Sequence, residues 1–99
     1  MHYFMIEATP QADNKNEQGT GGTYVSCWIN FKIADGAEVL ALYYIQENGW
    51  IPGEVQERQW VEQEDYQNTP DSLPYFLEAE QDGASFVFYR WPEGEENAD

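Results

Sequence analysis

YVSCWINFKI, residues 24–33, followed directly by ADGAEVLALYYIQENGW, residues 34–50, is the stretch that decides the fold. In its first part apolar and polar side chains alternate, which is the period of a β-strand with one buried face. The predicted strand covers 24–33, and its core-facing residues are Val25, Cys27, Ile29, Phe31 and Ile33.

The second part of the stretch predicts an amphipathic helix that begins at Asp35. The Asp35 side chain can cap free backbone N–H groups, and Glu38 three residues later can reach back as in a capping box. Gly49 stands where a left-handed residue ends a helix, and Trp50 can close onto the last turn. The apolar stripe follows helical spacing and consists of Ala37, Leu40, Ala41, Leu42, Tyr44 and Ile45.

Three further strands and one further helix are predicted around this stretch. The strands cover 2–9, 54–66 and 84–91, and the helix covers 73–81 and stops at Gly83. Residues 10–22 are polar and read as a loop, and Pro52 with Gly53 predicts a turn. The charged strand over 54–66 is expected at a sheet edge, whereas the strand over 84–91, apolar on both faces, is expected at the centre.

The element order β-β-α-β-α-β in 99 residues predicts a single α+β domain. Because strand–helix–strand crossovers are strongly right-handed, we expect a four-stranded mixed sheet with both helices on one face. The domain is expected to span residues 1–91. Residues 92–99 carry four acids and no apolar anchor, so we expect them to form a disordered acidic tail.

Charge is the strongest functional signal. Nineteen Asp and Glu residues oppose four Lys and Arg residues, which gives a formal net charge of −15. Residues 51–99 hold thirteen of these acids and only Arg58 and Arg90 as bases. Such a surface repels phosphate backbones and anionic lipid headgroups, so direct binding to nucleic acid or to a membrane is not expected. A basic protein would be attracted and steered in.

The N-terminal residues 1–6 lack the basic segment and the apolar run of a secretory signal. No apolar stretch approaches the length of a membrane span. The single cysteine, Cys27, cannot form an internal disulfide bond. These observations predict a cytoplasmic protein.

No residue pattern points to catalysis, to a cofactor or to a metal site. Cys27 lies on the apolar face of its strand, where a thiol is inert, and His2 has no third group to orient it. Glu62 and Glu64 could offer oxygen ligands, but the spacing of a calcium loop is absent. A small enzyme or ligand-binding domain is therefore the third hypothesis. A deep pocket that joins His2 with Glu7 or Glu38 would favour it.

Two groups of residues are candidates for partner binding. If both helices cover one sheet face, the aromatic side chains of the other face form an exposed apolar patch. Such patches are unfavourable in water and usually mark a binding surface. Trp60 on the charged strand has two interpretations: it either folds over the sheet edge onto the stem of Arg58 or, ringed by acids, serves as an interface anchor. The predicted partner-binding residues are Glu54, Glu57, Arg58, Trp60, Glu62, Glu64, Asp65, Tyr24 and Trp28.

The sequence therefore favours a non-enzymatic acidic protein-binding module. Carboxylates spaced along a strand can imitate a row of phosphates, so the expected partner is a basic, nucleic-acid-handling protein such as a nuclease. Immunity proteins and phage-encoded inhibitors of nucleases provide the analogy. The alternative is a homodimeric structural or assembly subunit, in which charge serves solubility and two copies bury Tyr24 and Trp28 against each other.

Overall fold

A computed structural model describes residues 1–93 and contains one four-stranded sheet with two helices. Single-turn 3-10 helices lie at Lys15–Glu17 and Gln63–Tyr66. The single α+β domain and the predicted element order are confirmed. The strands are β1 (His2–Pro10), β2 (Thr20–Ile29), β3 (Trp50–Trp60) and β4 (Ala84–Pro92), and the helices are α1 (Ala34–Glu47) and α2 (Leu73–Asp82).

The strand order is β3-β1-β2-β4, and all three neighbouring pairs are antiparallel. The sheet is thus antiparallel throughout rather than mixed. The strands β2 and β3, which α1 connects, do run in the same direction, but they lie on either side of β1. The right-handed crossover rule does not require the two connected strands to be neighbours. Because β1 lies between β2 and β3, these two strands do not pair with each other.

The two helices cover opposite faces of the sheet, which corrects the expectation of one shared face. The first face carries Phe4, Val25 and Cys27 and packs against Ala41 and Ile45 of α1. The second face carries Trp28 and Val87 and packs against Phe76 and Ala79 of α2. The helix α2 connects β3 and β4, which run in opposite directions at the two edges of the sheet. The right-handed rule applies to crossovers between parallel strands, so it does not fix the face on which α2 lies. Because α1 already covers the first face, α2 packs on the second.

The connection between β2 and α1 is longer than predicted. Val25, Cys27 and Ile29 are buried as expected, but β2 ends at Ile29, so Phe31 and Ile33 are exposed instead of belonging to the core. The helix α1 begins at Ala34 with Ile33 as its N-cap, so Asp35 lies in the first turn and does not cap it. Both helices end as predicted, at Gly49 and Gly83, whose φ angles are +90° and +97°.

The two edge strands differ from the predicted arrangement. The strand β3 is at an edge as expected, but it begins at Trp50 and includes Pro52 and Gly53, where its register on β1 shifts. The strand β4 is the other edge and not a central strand, and its apolar side chains contact α2 on one side and the first-face core on the other. Pro92 belongs to β4, and the remainder of the expected tail, 94–99, lies outside the described residues.

Candidate functional site

The helix α2 covers only one half of the second face. At the covered end, Trp28 is 3% exposed and lies beneath Phe76 and Tyr75. Two and four residues earlier along β2, Ser26 and Tyr24 follow on the same face, and Ser26 is still buried whereas Tyr24 is partly exposed. We call the uncovered set the open patch, and it consists of Met5, Glu7, Tyr24, Glu57, Tyr89 and Trp91.

Strand pairing brings the open patch together from all four strands. Tyr24 on β2 is the register partner of Glu7 on β1 and of Tyr89 on β4. Met5 is the partner of Glu57 on β3. Side chains directly opposite each other on one face have Cβ atoms about 4.5–5.5 Å apart, so these groups form one continuous surface. Tyr89 is 54% exposed, which leaves its ring accessible to a partner.

Trp91 joins the open patch because two glycines make room for its ring. A side chain on Gly22 would overlap the Trp91 indole, and a Cβ on Gly21 would lie 3.0 Å from two of its atoms. The indole therefore lies directly on the backbone of β2, with its centroid 5.2 Å from that of the Tyr24 ring. The two rings hold each other in place, so this end of the patch is preorganised.

A groove of about 310 Å³ runs from the open patch towards α2. Buried Ser26 forms part of its lining, and its hydroxyl is 2.9 Å from the hydroxyl of Tyr3. Trp28 Nε1 donates a hydrogen bond of 2.8 Å to the hydroxyl of Tyr66. The residues that line the groove are Tyr3, Met5, Ser26, Trp28, Glu57, Gln59, Tyr66, Ser72 and Tyr89.

The groove offers neutral hydroxyls in its interior and a carboxylate at its rim. Burial raises the pKa of both Tyr3 and Tyr66 above the ordinary tyrosine value, so both hydroxyls stay protonated in neutral solution. Glu57 is exposed and accepts a long hydrogen bond of 3.4 Å from Gln59 Nε2. The arrangement suits a ligand that donates hydrogen bonds and carries positive charge.

Basic residues lie on the side of the first face. Arg58 Nε donates to Glu38 on α1 at 2.7 Å, and Arg90 Nε donates to both carboxylate oxygens of Glu17 at 2.9 and 3.0 Å. The Arg90 guanidinium also lies over the ring of Trp50, in the first-face core. Within residues 1–93, these are the salt bridges, and neither includes an acid of the open patch.

The chain beside the second face is rich in acids and contains few positive charges. Residues 59–89, which include the 3-10 turn, α2 and most of β4, contain no Lys or Arg. The open patch adds Glu7 and Glu57 to this charge. The acids of the segment 59–89 are Glu62, Glu64, Asp65, Asp71, Glu78, Glu80 and Asp82. The negative charge is therefore less compensated on the side of the second face than on the side of the first.

The structure divides the predicted partner-binding residues into three groups. Tyr24 and Glu57 belong to the open patch, and Glu54 lies exposed on β3 nearby. Trp28 is buried beneath α2 and contributes to the lining of the groove, so it does not belong to the exposed aromatic face that was expected. Arg58 lies on the first face, opposite Phe4 in the register.

Trp60 and the acids after it form a separate, exposed region. Trp60 is 57% exposed, lies edge-on to His2 at 4.9 Å and donates from Nε1 to Glu62 at 3.0 Å. The strand ends at Trp60, so Glu62, Glu64 and Asp65 lie in and beside the 3-10 turn rather than along a strand. The Asp65 carboxylate accepts the backbone N–H of Glu62. The expected row of carboxylates on one strand is therefore absent from β3.

Sequence reasoning missed four members of the open patch: Met5, Glu7, Tyr89 and Trp91. The signal was present for two of them, since alternation in β4 places Tyr89 and Trp91 on the same face. The register that joins β4 to β2 was not visible, so these aromatics could not be connected with Tyr24. Their expected central position also suggested that both would be buried.

The groups considered for catalysis are dispersed. Cys27 is fully buried, and burial strongly raises the pKa of its thiol, which makes it a poor nucleophile. A cavity of about 260 Å³ does include both His2 and Glu38, but Glu38 is held by Arg58, and His2 Nε2 is 3.2 Å from the Lys32 carbonyl oxygen. Among residues 1–93, no group of three or more His, Cys, Asp or Glu side chains could hold a metal ion.

Comparison with known proteins gives no assignment for this chain. No family model, curated protein or solved structure matches it. Within the described part of the chain, neither helix has the length and apolar character needed to cross a membrane. The function therefore has to be inferred from the chemistry of the open patch and the groove.

Proposed function

We propose that this protein is a non-enzymatic binding module that docks on a basic protein through the open patch and the adjoining groove. The observation that carries the proposal is the composition of the patch. Aromatic rings and carboxylates stand side by side there, and no Lys or Arg of the described residues lies among them.

The patch suits arginine and lysine side chains on physical grounds. A cation over a tyrosine or tryptophan ring gains about 0.5–2 kcal/mol, depending on how far it is desolvated. A guanidinium that stacks on Tyr89 can pair with a nearby carboxylate, and charge-assisted hydrogen bonds of this kind are among the strongest in proteins. Tyr, Trp and Arg are also the residues most enriched at interface hot spots.

The partner class that fits best is a protein that handles nucleic acid. Such proteins present clusters of Lys and Arg that neutralise phosphates. A small domain with a net charge of −15 would be steered to that surface and would exclude the nucleic acid from it. The module would then act as an inhibitor or immunity-type protein. Its acids come from several elements around the second face. The protein would therefore imitate the negatively charged surface of a nucleic acid rather than a single row of phosphates.

The homodimeric alternative has less support. It needs Tyr24 and Trp28 on one shared surface, but Trp28 lies under α2. Two copies joined through the open patch would also bring Glu7 and Glu57 of both chains together without a cation. Like charges in one interface cost several kcal/mol in order of magnitude.

The test uses a defined probe, an eight-residue arginine peptide, and two double variants of equal charge. Glu7→Gln with Glu57→Gln neutralises the open patch, and Asp35→Asn with Glu47→Gln neutralises two exposed or half-exposed acids of α1. We expect the patch variant to bind at least about tenfold more weakly by titration calorimetry in low salt, since lost charge-assisted bonds are each worth about 1.5–3 kcal/mol. The α1 variant should bind nearly as well as the unaltered protein.

An equal loss in both variants would contradict the proposal, because binding would then follow net charge and not the patch. Tyr89→Ala provides a second check that leaves the charge unchanged. It should also weaken binding, and the salt dependence of the remaining affinity should stay the same because the charged contacts are unaltered.

A further inference from the structure

Among residues 1–93, no further strand pairs with the outer edge of β4, so this edge presents backbone N–H and C=O groups outwards. Asn30 N–H donates to the Gly83 carbonyl oxygen at 2.9 Å. This bond shows which residue pairs of β2 and β4 exchange backbone hydrogen bonds and which do not. Bonding positions alternate along an antiparallel strand, so Ser85, Val87 and Tyr89 bond to β2. The N–H groups of the residues between them therefore point away from the sheet. These residues are Phe86, Phe88 and Arg90.

The two edges of the sheet are protected to very different degrees. The strand β3 carries Pro52, charged side chains and two register shifts, all of which discourage the addition of another strand. The strand β4 has no acid and no proline before Pro92, and its register on β2 is regular from Gly22 to Ile29. A regular apolar edge of this kind is a template for strand pairing.

The sides of β4 also lack full cover. On the first face α1 lies over β3, β1 and β2, and Tyr44 reaches Phe86 with ring centroids 5.6 Å apart. Phe86 and Phe88 consequently remain partly accessible. On the second face Tyr89 of the open patch is exposed. A strand added beside β4 would cover these rings from both sides.

We propose that an extended segment of the basic partner adds to β4 as a fifth strand. This inference rests on the proposed function and specifies how the partner is held. Main-chain hydrogen bonds to Phe86 and Phe88 would supply affinity, and alternate side chains would supply specificity. Its apolar side chains would lie beside Phe86 and Phe88, and its Lys or Arg side chains beside Tyr89 and the open patch.

Charge complementarity selects a basic segment over a second copy of this chain. A second copy brings a further net charge of −15 to an edge flanked by the acids of α2 and the open patch. The acids of α2 are Glu78, Glu80 and Asp82. A segment in which lysines alternate with apolar residues neutralises these carboxylates on one side and covers the aromatic edge on the other.

Amide hydrogen exchange tests the inference with a ten-residue probe peptide in which valine alternates with lysine. In the free protein the Phe86 and Phe88 amides should exchange fast, and the Val87 amide slowly. A saturating amount of peptide should slow the exchange of the Phe86 and Phe88 amides by at least about tenfold. A peptide in which glutamate replaces lysine should have no effect, and a central proline should weaken the protection.

The outcomes separate this inference from the proposed function. If the lysine peptide perturbs the resonances of Glu7 and Tyr89 but protects neither edge amide, strand addition is wrong while the docking proposal stands. If it perturbs neither region, both fail together. Dimers of the free protein in sedimentation at tens of micromolar, with the same two amides protected, would make the occupant a second copy and overturn the proposed partner strand.

A pair of variants checks the same point in the protein. Phe86→Pro and Phe86→Ala both remove the ring, and only the proline also removes the outward N–H. Peptide affinity should fall at least about fivefold further in the proline variant than in the alanine variant. Arg90→Pro with Arg90→Ala is the equivalent pair near the end of β4, should the first proline variant fail to fold. Equal affinities within a folded pair would overturn the inference.

Discussion

The two faces of the sheet use the same kinds of side chain for different purposes. The first face buries Phe4, Cys27 and Trp50 under α1, and both arginines of the chain form salt bridges on that side. The second face buries Trp28 under α2 but leaves Tyr89 exposed beside acids that take part in neither salt bridge of residues 1–93. The first face thus stabilises the fold, whereas half of the second face remains available for binding.

This difference has a simple geometric origin. The helix α1 has 14 residues and lies over β1, β2 and β3, whereas α2 has 10 residues and packs mainly on β4 and the end of β2. At 1.5 Å per residue, α2 is about 6 Å shorter than α1, and it leaves one half of its face uncovered. The residues on that half are three aromatic side chains, two carboxylates and Met5, so rings and acids share one exposed surface.

The largest expected contrast between the faces is in stability. Ile45→Ala in α1 removes a fully buried side chain of the first-face core and should lower the free energy of unfolding by about 2–5 kcal/mol. Tyr89→Ala in the open patch should lower it by no more than about 1 kcal/mol, because the ring is more than half exposed. Urea unfolding of both variants measures the difference. Similar losses would mean that the open patch is part of the core.

A smaller effect is expected at the boundary between the covered and open halves of the second face. Tyr66→Phe removes the acceptor for the buried indole N–H of Trp28 and should cost about 1–3 kcal/mol. Tyr89→Phe should be neutral in the same unfolding experiment and is the matched control. A neutral Tyr66→Phe would show that the hydrogen bond does not hold the 3-10 turn against the sheet.

The Tyr66 hydroxyl also allows a prediction of how the free energy of unfolding changes in alkaline solution. The pKa of Tyr66 is raised in the folded protein, so the folded state favours the protonated hydroxyl. The resulting stability is fully present below the unfolded tyrosine pKa of about 10 and is lost as the pH rises from there through the folded pKa. Between neutral and strongly alkaline solution, the free energy of unfolding should therefore fall less in Tyr66→Phe than in the unaltered protein. The midpoints of urea unfolding at the two pH values measure this difference.

The smallest expected contrast concerns charge. Glu17→Gln breaks the ion pair with Arg90 and should cost up to about 1 kcal/mol, since the pair is partly exposed. Glu57→Gln removes an open-patch acid without a salt bridge and should leave stability unchanged within about 0.5 kcal/mol. Unfolding in low salt measures both. A clear loss from Glu57→Gln would show that this carboxylate stabilises the fold and is not free for a partner.

Local signals predicted the elements well and their arrangement poorly. The alternation around Cys27 and the helix stops at Gly49 and Gly83 are local features, because backbone periodicity and positive φ preferences act within a few residues. The end of β2 was misjudged because Phe31 and Ile33 continue the alternating pattern after the strand has left the sheet. Nothing in that pattern indicates where pairing with β1 and β4 stops.

The candidate site illustrates the same division. Its charge and aromatic content were evident from the sequence, and Tyr24 and Glu57 were identified in advance. The exclusion of Trp28 and the inclusion of Glu7, Tyr89 and Trp91 depend on where α2 lies and on strand register. Both are set by contacts between residues far apart in the chain.

By itself the sequence determined a single α+β domain, its order of strands and helices, the negative charge of its C-terminal half and the burial of Cys27. Only the tertiary structure decided that the helices take opposite faces, that β4 is an edge and that part of the second face stays open. The physical reason is that hydrophobic periodicity specifies which side of an element is buried. It does not specify which other element buries it, and that choice depends on the packing of the whole chain.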